Sequence, residues 1–449
     1  MKKVWCTLLC AVSFAAASSS ALAADISVDT STLLGIGQRD VSGTKKETLL
    51  PATQFLGVDV DKLADGNLSL HIYGWGRADL ADKSYNSQKA DGSLTYGYLQ
   101  YRFKEANANA RLGRMFIHEG VVNEQIDGLS VRTDLPAGFG ISAFGGAVVH
   151  DDSRSILGNR NSNLFGESSD GKGDTIAGGR ATYRYLGMLE LGLSGVFEAK
   201  APALVSHKSG NHRLVGGDLY FSPHKMVALM GQSSYNPETK AVAEHSYLLT
   251  VKPFEPLIVS AEFNEHRTGS YLSSSPLFSN MPHFNPTDRS RTIGGSASYQ
   301  ASKNIGLAAD YKHYSRTLGN ADRYGADARL SFSDNSIRGG LGYHYLRASQ
   351  GFAISPYISA SYHELRGYLM HDTKGYFAAL DAIGYLFKEK IYNERSAWEG
   401  TVSLGYHLTP ALALSGDVSY GRNPEFTEET KGLIRLTYNM TFEGKGEKK

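Results

Sequence analysis

The residues with the most chemical content in this sequence are charged side chains set at alternate positions along segments of about ten residues. Arg180, Arg184, Glu190, Glu198, Glu262, Asp310, Lys312, Arg316, Asp327, Arg329, Glu399, Asp417 and Arg435 all belong to such segments, where the positions between them are mostly apolar or small. Charges of both signs on one face can line a wet interior and set up transverse fields that orient a solute. The plainer reading is a solvated network that only holds a wall apart.

Other groupings carry less chemistry. His150 stands beside Asp151 and Asp152, and His371 beside Asp372. Neighbours on a strand point to opposite faces, so these dipeptides cannot form the hydrogen bond that a catalytic pair needs. No GxSxG, HExxH or P-loop pattern occurs, and no catalytic residue is assigned. The run Asp170 to Asp174 offers carboxylates and carbonyls to Ca²⁺ but lacks the further acidic ligands of a full site, so a plain loop is expected. His207, His212 and His245 lie near different connections and read as rim or surface residues. No metal ligand or cofactor is assigned.

The elements that position the charged face are β-strands. In Met188 to Ala199 the apolar residues Leu189, Leu191, Leu193 and Phe197 alternate with Glu190, Ser194 and Glu198. Ile305, Leu307, Ala309 and Tyr311 likewise oppose Asp310, Lys312 and Arg316, and Leu412, Leu414, Val418 and Tyr420 oppose Ser415, Asp417 and Ser419. Period two over about ten residues is the length a tilted strand needs to cross a membrane. A soluble sandwich alternates too, so the connections must decide. Short turns near 105–107, 136–138, 186–187, 223–225, 254–256, 302–304, 333–335, 372–374 and 409–410 take turns with longer loops at about 80–92, 151–173, 201–211, 268–288 and 388–395. That order predicts an all-β, antiparallel transmembrane barrel with short periplasmic turns and longer extracellular loops.

The N-terminus agrees with export. Lys2 and Lys3 precede an apolar stretch from Val4 to Ala17, and Ala21, Leu22 and Ala23 provide a cleavage site, so 1–23 reads as a signal peptide. Both cysteines, Cys6 and Cys10, fall inside it, which leaves the mature chain no disulfide, thiolate metal site or covalent c-type haem. Without Lys2 and Lys3 the 46 basic residues fall to within one charge of the 45 acidic ones, and no attraction to nucleic acid is expected. No apolar run of about 18 residues follows the leader, so a membrane protein of this sequence must be a barrel.

Counting strands from Leu68 to Phe442 gives about 20, with 18 to 22 compatible with even closure. The segment 24–66 is expected to be a periplasmic or plugging piece, 67–442 the barrel, and 443–449 a hydrophilic tail. Glycine pairs such as Gly178/Gly179, Gly216/Gly217, Gly294/Gly295 and Gly339/Gly340 fall inside strand patterns, where curvature and close packing would explain them.

The last segment, with Ile434, Leu436, Tyr438, Met440 and Phe442 on one face, resembles the C-terminal strand of bacterial outer-membrane barrels, although a tail follows the aromatic residue. The runs LSLHIYGWGRADL at Leu68 to Leu80 and LGYHLTPALALSGDVSYG at Leu404 to Gly421 resemble outer-membrane channel proteins of metal-reducing bacteria, some of which sheath multihaem cytochromes in porin–cytochrome conduits. One subgroup of these carries a Cys-x-x-Cys pair that is absent here. Two expectations follow. The first is a porin-like channel in the outer membrane, in contact with its lipid, that passes small hydrophilic solutes. The second, implied by the resemblance, is a barrel sheath around a multihaem c-type cytochrome.

Overall fold

The computed structural model describes residues 24–41, 45–81, 90–149, 175–199, 211–267, 289–316, 319–349, 361–391, 393–424 and 428–443. The leader, His150 to Asp152, the run Asp170 to Asp174, His207 and the loop 268–288 lie outside them. Strands β1 (Asp25–Val41), β2 (Lys45–Leu49), β3 (Pro51–Lys62), β4 (Leu68–Asp79), β5 (Ala90–Phe103), β6 (Ala108–Glu119), β7 (Val122–Asp134) and β8 (Phe139–Val148) open the chain. They are followed by β9 (Thr175–Tyr185), β10 (Leu189–Ala199), β11 (His212–His224), β12 (Val227–Asn236), β13 (Ala241–Phe254), β14 (Leu257–Arg267), β15 (Arg289–Ser302) and β16 (Ile305–Arg316). The chain ends through β17 (Gly319–Phe332), β18 (Ile337–Ala348), β19 (Tyr362–Asp372), β20 (Tyr376–Ile391), β21 (Glu394–Thr409), β22 (Leu412–Arg422) and β23 (Glu429–Phe442).

Each strand from β3 onward pairs antiparallel with the next, and β1 closes the ring between β3 and β23. Only β2 stands outside the wall, as a hairpin extension of β1. The result is an antiparallel transmembrane barrel of 22 wall strands. Closure is what a sheet needs in hydrocarbon, because every edge N–H and C=O would otherwise lie unpaired.

This architecture corrects the reading of 24–66. Its residues are wall, not plug: Ile26 to Ile36 align with Phe442 to Gly432, and Asp25 to Leu34 with Asp61 to Ala52. The strands counted from Leu68 are the twenty from β4 to β23, and β1 with β3 raise the total to 22. A second correction is local. The expected loop at 388–395 is mostly strand, since β20 runs to Ile391 and β21 starts at Glu394.

Alternation gives the wall two faces. On the outer one Leu112, Leu193, Leu404 and Val418 are all more than half exposed, as side chains meant for lipid must be in a protein without its bilayer. The other face carries the charges. Short connections join the strands at the end where β1 begins and β23 finishes, at 104–107, 186–188, 255–256 and 333–336 among others.

The closure can be tested by thiol pairs. Ser31 faces Thr437 and Thr32 faces Leu436 across the β1–β23 ladder, and adjacent pairs alternate between wide and close spacing. Of the double variants Ser31→Cys/Thr437→Cys and Thr32→Cys/Leu436→Cys, at least one is expected to cross-link on mild oxidation, read as a shift in gel mobility. A plugging segment would give neither.

Candidate functional site

Besides the β1–β2 extension, the β6–β7 hairpin also leaves the wall. Pairing of β6 with β5 stops at Arg114, and pairing of β7 with β8 stops at Ile126, with a last backbone hydrogen bond from Val149 N–H to the Gln125 carbonyl at 2.9 Å; Ile117 to Glu124 have ladder partners within the hairpin alone. The departure point is the cross-strand pair Gly113 and Gly128. Gly113 has φ +130°, and a Cβ there would strike the Tyr98 backbone, so the bend requires glycine.

The tip then reaches three strands along the ring. The backbone N–H of Val121 donates to Ser194 Oγ on β10 at 3.1 Å, and Val121 also lies against Gly216 on β11. A contact from β7 to β10 and β11 must take the chord, which lies inside the ring. The charged face is therefore the inner one, and the hairpin folds into the lumen.

What holds it there is apolar. Met115, Ile117, Val122 and Ile126 on its underside are buried against Phe144, Val148, Ile176, Val196 and Leu214 of β8 to β11. Buried among the same strands are Glu124, Glu198 and His212, with His212 Nδ1 3.8 Å from Glu198 Oε2. His212 is thus an interior residue and not the rim histidine expected. His245 lies on the outer face beside Ser233, 2.8 Å away.

At the tip stands a charge cluster. Arg180 Nε donates to Asp218 Oδ1 at 3.0 Å, Arg180 Nη2 to Glu190 Oε1 at 3.2 Å, and Glu119 of the hairpin lies 3.9 Å from Arg180. Arg184 extends the chain through Glu190 at 3.1 Å towards Asp134 at 3.4 Å. Arg180, Arg184 and Glu190 are thereby brought together, while Glu198 is held apart in the buried layer. Elsewhere on the inner face Glu262 pairs with Lys312 at 2.6 Å, Asp310 with Arg323 at 2.8 Å, and Glu399 with Lys431 at 3.3 Å. Asp327 faces Arg366 at 3.8 Å. Arg316, Arg329, Asp417 and Arg435 share that face.

Sequence reasoning missed Asp218, Arg366 and Glu119; the first two obey the same alternation, and a register would have found them. It also missed an aromatic row on the inner face of β3 to β5. Phe55 stacks on Tyr73 at 6.4 Å, Tyr73 on Tyr96 at 5.5 Å, and His71 tilts over Tyr98 at 5.0 Å, with Arg111 5.6 Å from the Tyr98 ring. His371 and Asp372 point to opposite faces as expected: His371 meets Tyr376 and Asp372 accepts from Arg338 at 2.9 Å.

No protein-family model matches the chain, and no curated protein does. Among solved structures, the P pilus usher (PapC) translocation pore is 11% identical with a TM-score of 0.50, over 93% of this chain and 100% of that one. A variant of the ferric enterobactin receptor (PfeA) of Pseudomonas aeruginosa is 11% identical with a TM-score of 0.54, over 92% and 80%. OccK1 (OpdK) of Pseudomonas aeruginosa is 11% identical at a TM-score of 0.42, over 93% and 99%. The likeness to the first two is one of fold, that of a large closed barrel.

The hairpin's attachment is expected to fail by packing. Ile126 is fully buried, so Ile126→Ala should cost about 2–5 kcal/mol and raise amide hydrogen exchange across 115–126. Leu129→Ala, on the outer face of the same strand, should leave that protection unchanged.

Proposed function

We propose that this chain is an outer-membrane channel for small hydrophilic solutes, narrowed by the β6–β7 hairpin. The observation that carries the reading is a closed wall with apolar side chains outside, paired charges inside and one hairpin folded across its inner face. Twenty-two strands spaced about 4.8 Å apart and tilted about 40° enclose a ring on the order of 44 Å across if circular. One layer of side chains cannot fill such a ring. The N-terminal segment is used in the wall, so among the described residues narrowing falls to the hairpin, whose seven residues from Arg114 to its tip span about 23 Å.

The solute class follows from the lining. Mixed charges at Arg180, Asp218 and Glu190 favour dipolar or ionic solutes, and the row Phe55, Tyr73, Tyr96 offers ring faces to stack on. The fold neighbours include a protein titled as a translocation pore, which is compatible with transport. A sheath around a cytochrome is the weaker reading, because the hairpin occupies space that a protein guest would need.

Purified protein in planar bilayers is expected to give discrete conductance steps. Replacing 116–125 with Gly-Gly should raise the step several-fold, and Arg180→Ala should shift selectivity towards cations. Silence from both the native and the shortened protein would overturn the channel, and co-purification of a c-type cytochrome with a closed lumen would favour the sheath.

A further inference from the structure

On the inner face of β16, β17 and β18 the register gathers three potential ligands. Asp310 is paired across the ladder with Gly325, and Asp327 with Gly342. Two residues beyond each glycine comes the next donor, Asp327 after Gly325 and His344 after Gly342. Such diagonal neighbours share a face and lie within side-chain reach. Both glycines are needed for space: a Cβ at Gly325 would run into Asp310 and His344, and one at Gly342 into Asp327.

His344 is the unusual member, only 2% exposed in the wall of a water-lined lumen. Its Nε2 lies 3.5 Å from Asp327 Oδ2 and 3.7 Å from Asp310 Oδ1, and one donor atom from each residue falls within 4.8 Å of the others. Around a tetrahedral ion with bonds near 2.0 Å, ligand atoms stand about 3.3 Å apart. On the far side of the ring Glu364 Oε1 is 3.3 Å from Nδ1, close enough but out of line, so that this buried nitrogen has no hydrogen-bond partner. A small rotation would let Nδ1–H donate to Glu364 and fix the Nε2 lone pair towards the two aspartates, the usual support of a metal-bound histidine. Arg323 engages Asp310 through Oδ2 and Arg366 approaches Asp327 through Oδ1, which leaves the oxygens nearest His344 for an ion.

We propose that Asp310, Asp327 and His344 form an exchangeable site for a divalent transition-metal ion on the inner wall. Two carboxylate oxygens and one imidazole select an ion such as Zn²⁺ or Co²⁺ over Ca²⁺ and Mg²⁺, which prefer all-oxygen shells. The remaining coordination positions go to water or to a solute group. The site does not depend on whether the lumen conducts.

The test is titration of the detergent-folded full chain with Co²⁺, followed by visible absorption and calorimetry. One Co²⁺ per chain is expected, displaced by Zn²⁺ and insensitive to excess Mg²⁺. His344→Ala and Asp327→Asn should each weaken binding at least tenfold, while Arg180→Ala should not change it. Unheated gel mobility checks folding, and if His344→Ala misfolds, Asp327→Asn decides. Absence of stoichiometric Co²⁺ binding, as for an imidazolium held only by its carboxylates, would overturn the proposal. So would binding unchanged in the folded variants.

Discussion

Closure of the hydrogen-bonded ring is the constraint on which everything else rests. A strand edge facing hydrocarbon leaves several kcal/mol of unsatisfied polar group at each residue, so the wall must meet itself. Here the meeting is made by β1, whose two sides are occupied by β3 and β23 along most of its length. Once the ring is closed, register is fixed, because a slip of one residue would carry every charge to the lipid face. The positions of Arg180 beside Asp218 and of His344 beside Asp327 are consequences of that register, several strands removed from the closing seam.

Glycine shows how the register makes room for charge. On the inner face a charged side chain repeatedly stands opposite or diagonal to a residue without one: Asp218 at Gly192, Glu262 at Gly294, Asp310 at Gly325 and Asp327 at Gly342. In each case an added Cβ would occupy the carboxylate's place. Curvature and close packing under aromatic rings are the roles expected of the glycine pairs, and Gly178 under Phe144 and Gly340 under Tyr368 have such rings. Their inner-facing members, such as Gly294, also serve as sockets, and that role becomes visible only when strands are aligned.

The strands from β4 to β23 were legible because apolar and polar residues alternate along most of them. The N-terminal strands were not, and the reason is chemical. On their outer faces Thr30, Thr32 and Gln54 interrupt the apolar row, which reads as a polar segment. The three side chains satisfy one another across β1 and β3: Thr32 donates to Gln54 Oε1 at 2.5 Å and Gln54 donates to Thr30. Polar groups paired in this way can stand on an outward face at modest cost, and they remove the periodic signal without removing the strand. Partners such as Asp218 were hidden for a different reason, since single-strand periodicity assigns a face and says nothing about neighbours.

The hairpin carries a signal of its own, an inversion of the alternation. Up to Gly113 the outward residues Ala110 and Leu112 are apolar and the inward Asn109 and Arg111 polar; past it Arg114 and His118 take the outward side, and Met115 and Ile117 the inward. On the returning strand Val122 and Ile126 face inward and Asn123, Gln125 and Asp127 outward, until Gly128 restores the wall's order. A wall strand that kept this inverted pattern would put His118, Asn123 and Gln125 in lipid, so the chain leaves the wall just past the flip. Having left, it buries its apolar side at about 1.5–3 kcal/mol per large side chain, whereas its tip joins the charge cluster through the long Glu119–Arg180 contact of 3.9 Å. Packing therefore sets where the hairpin sits, and the charges gather at its tip. Because the wall's ladder ends at Arg114 and Ile126, the hairpin can loosen without opening the ring.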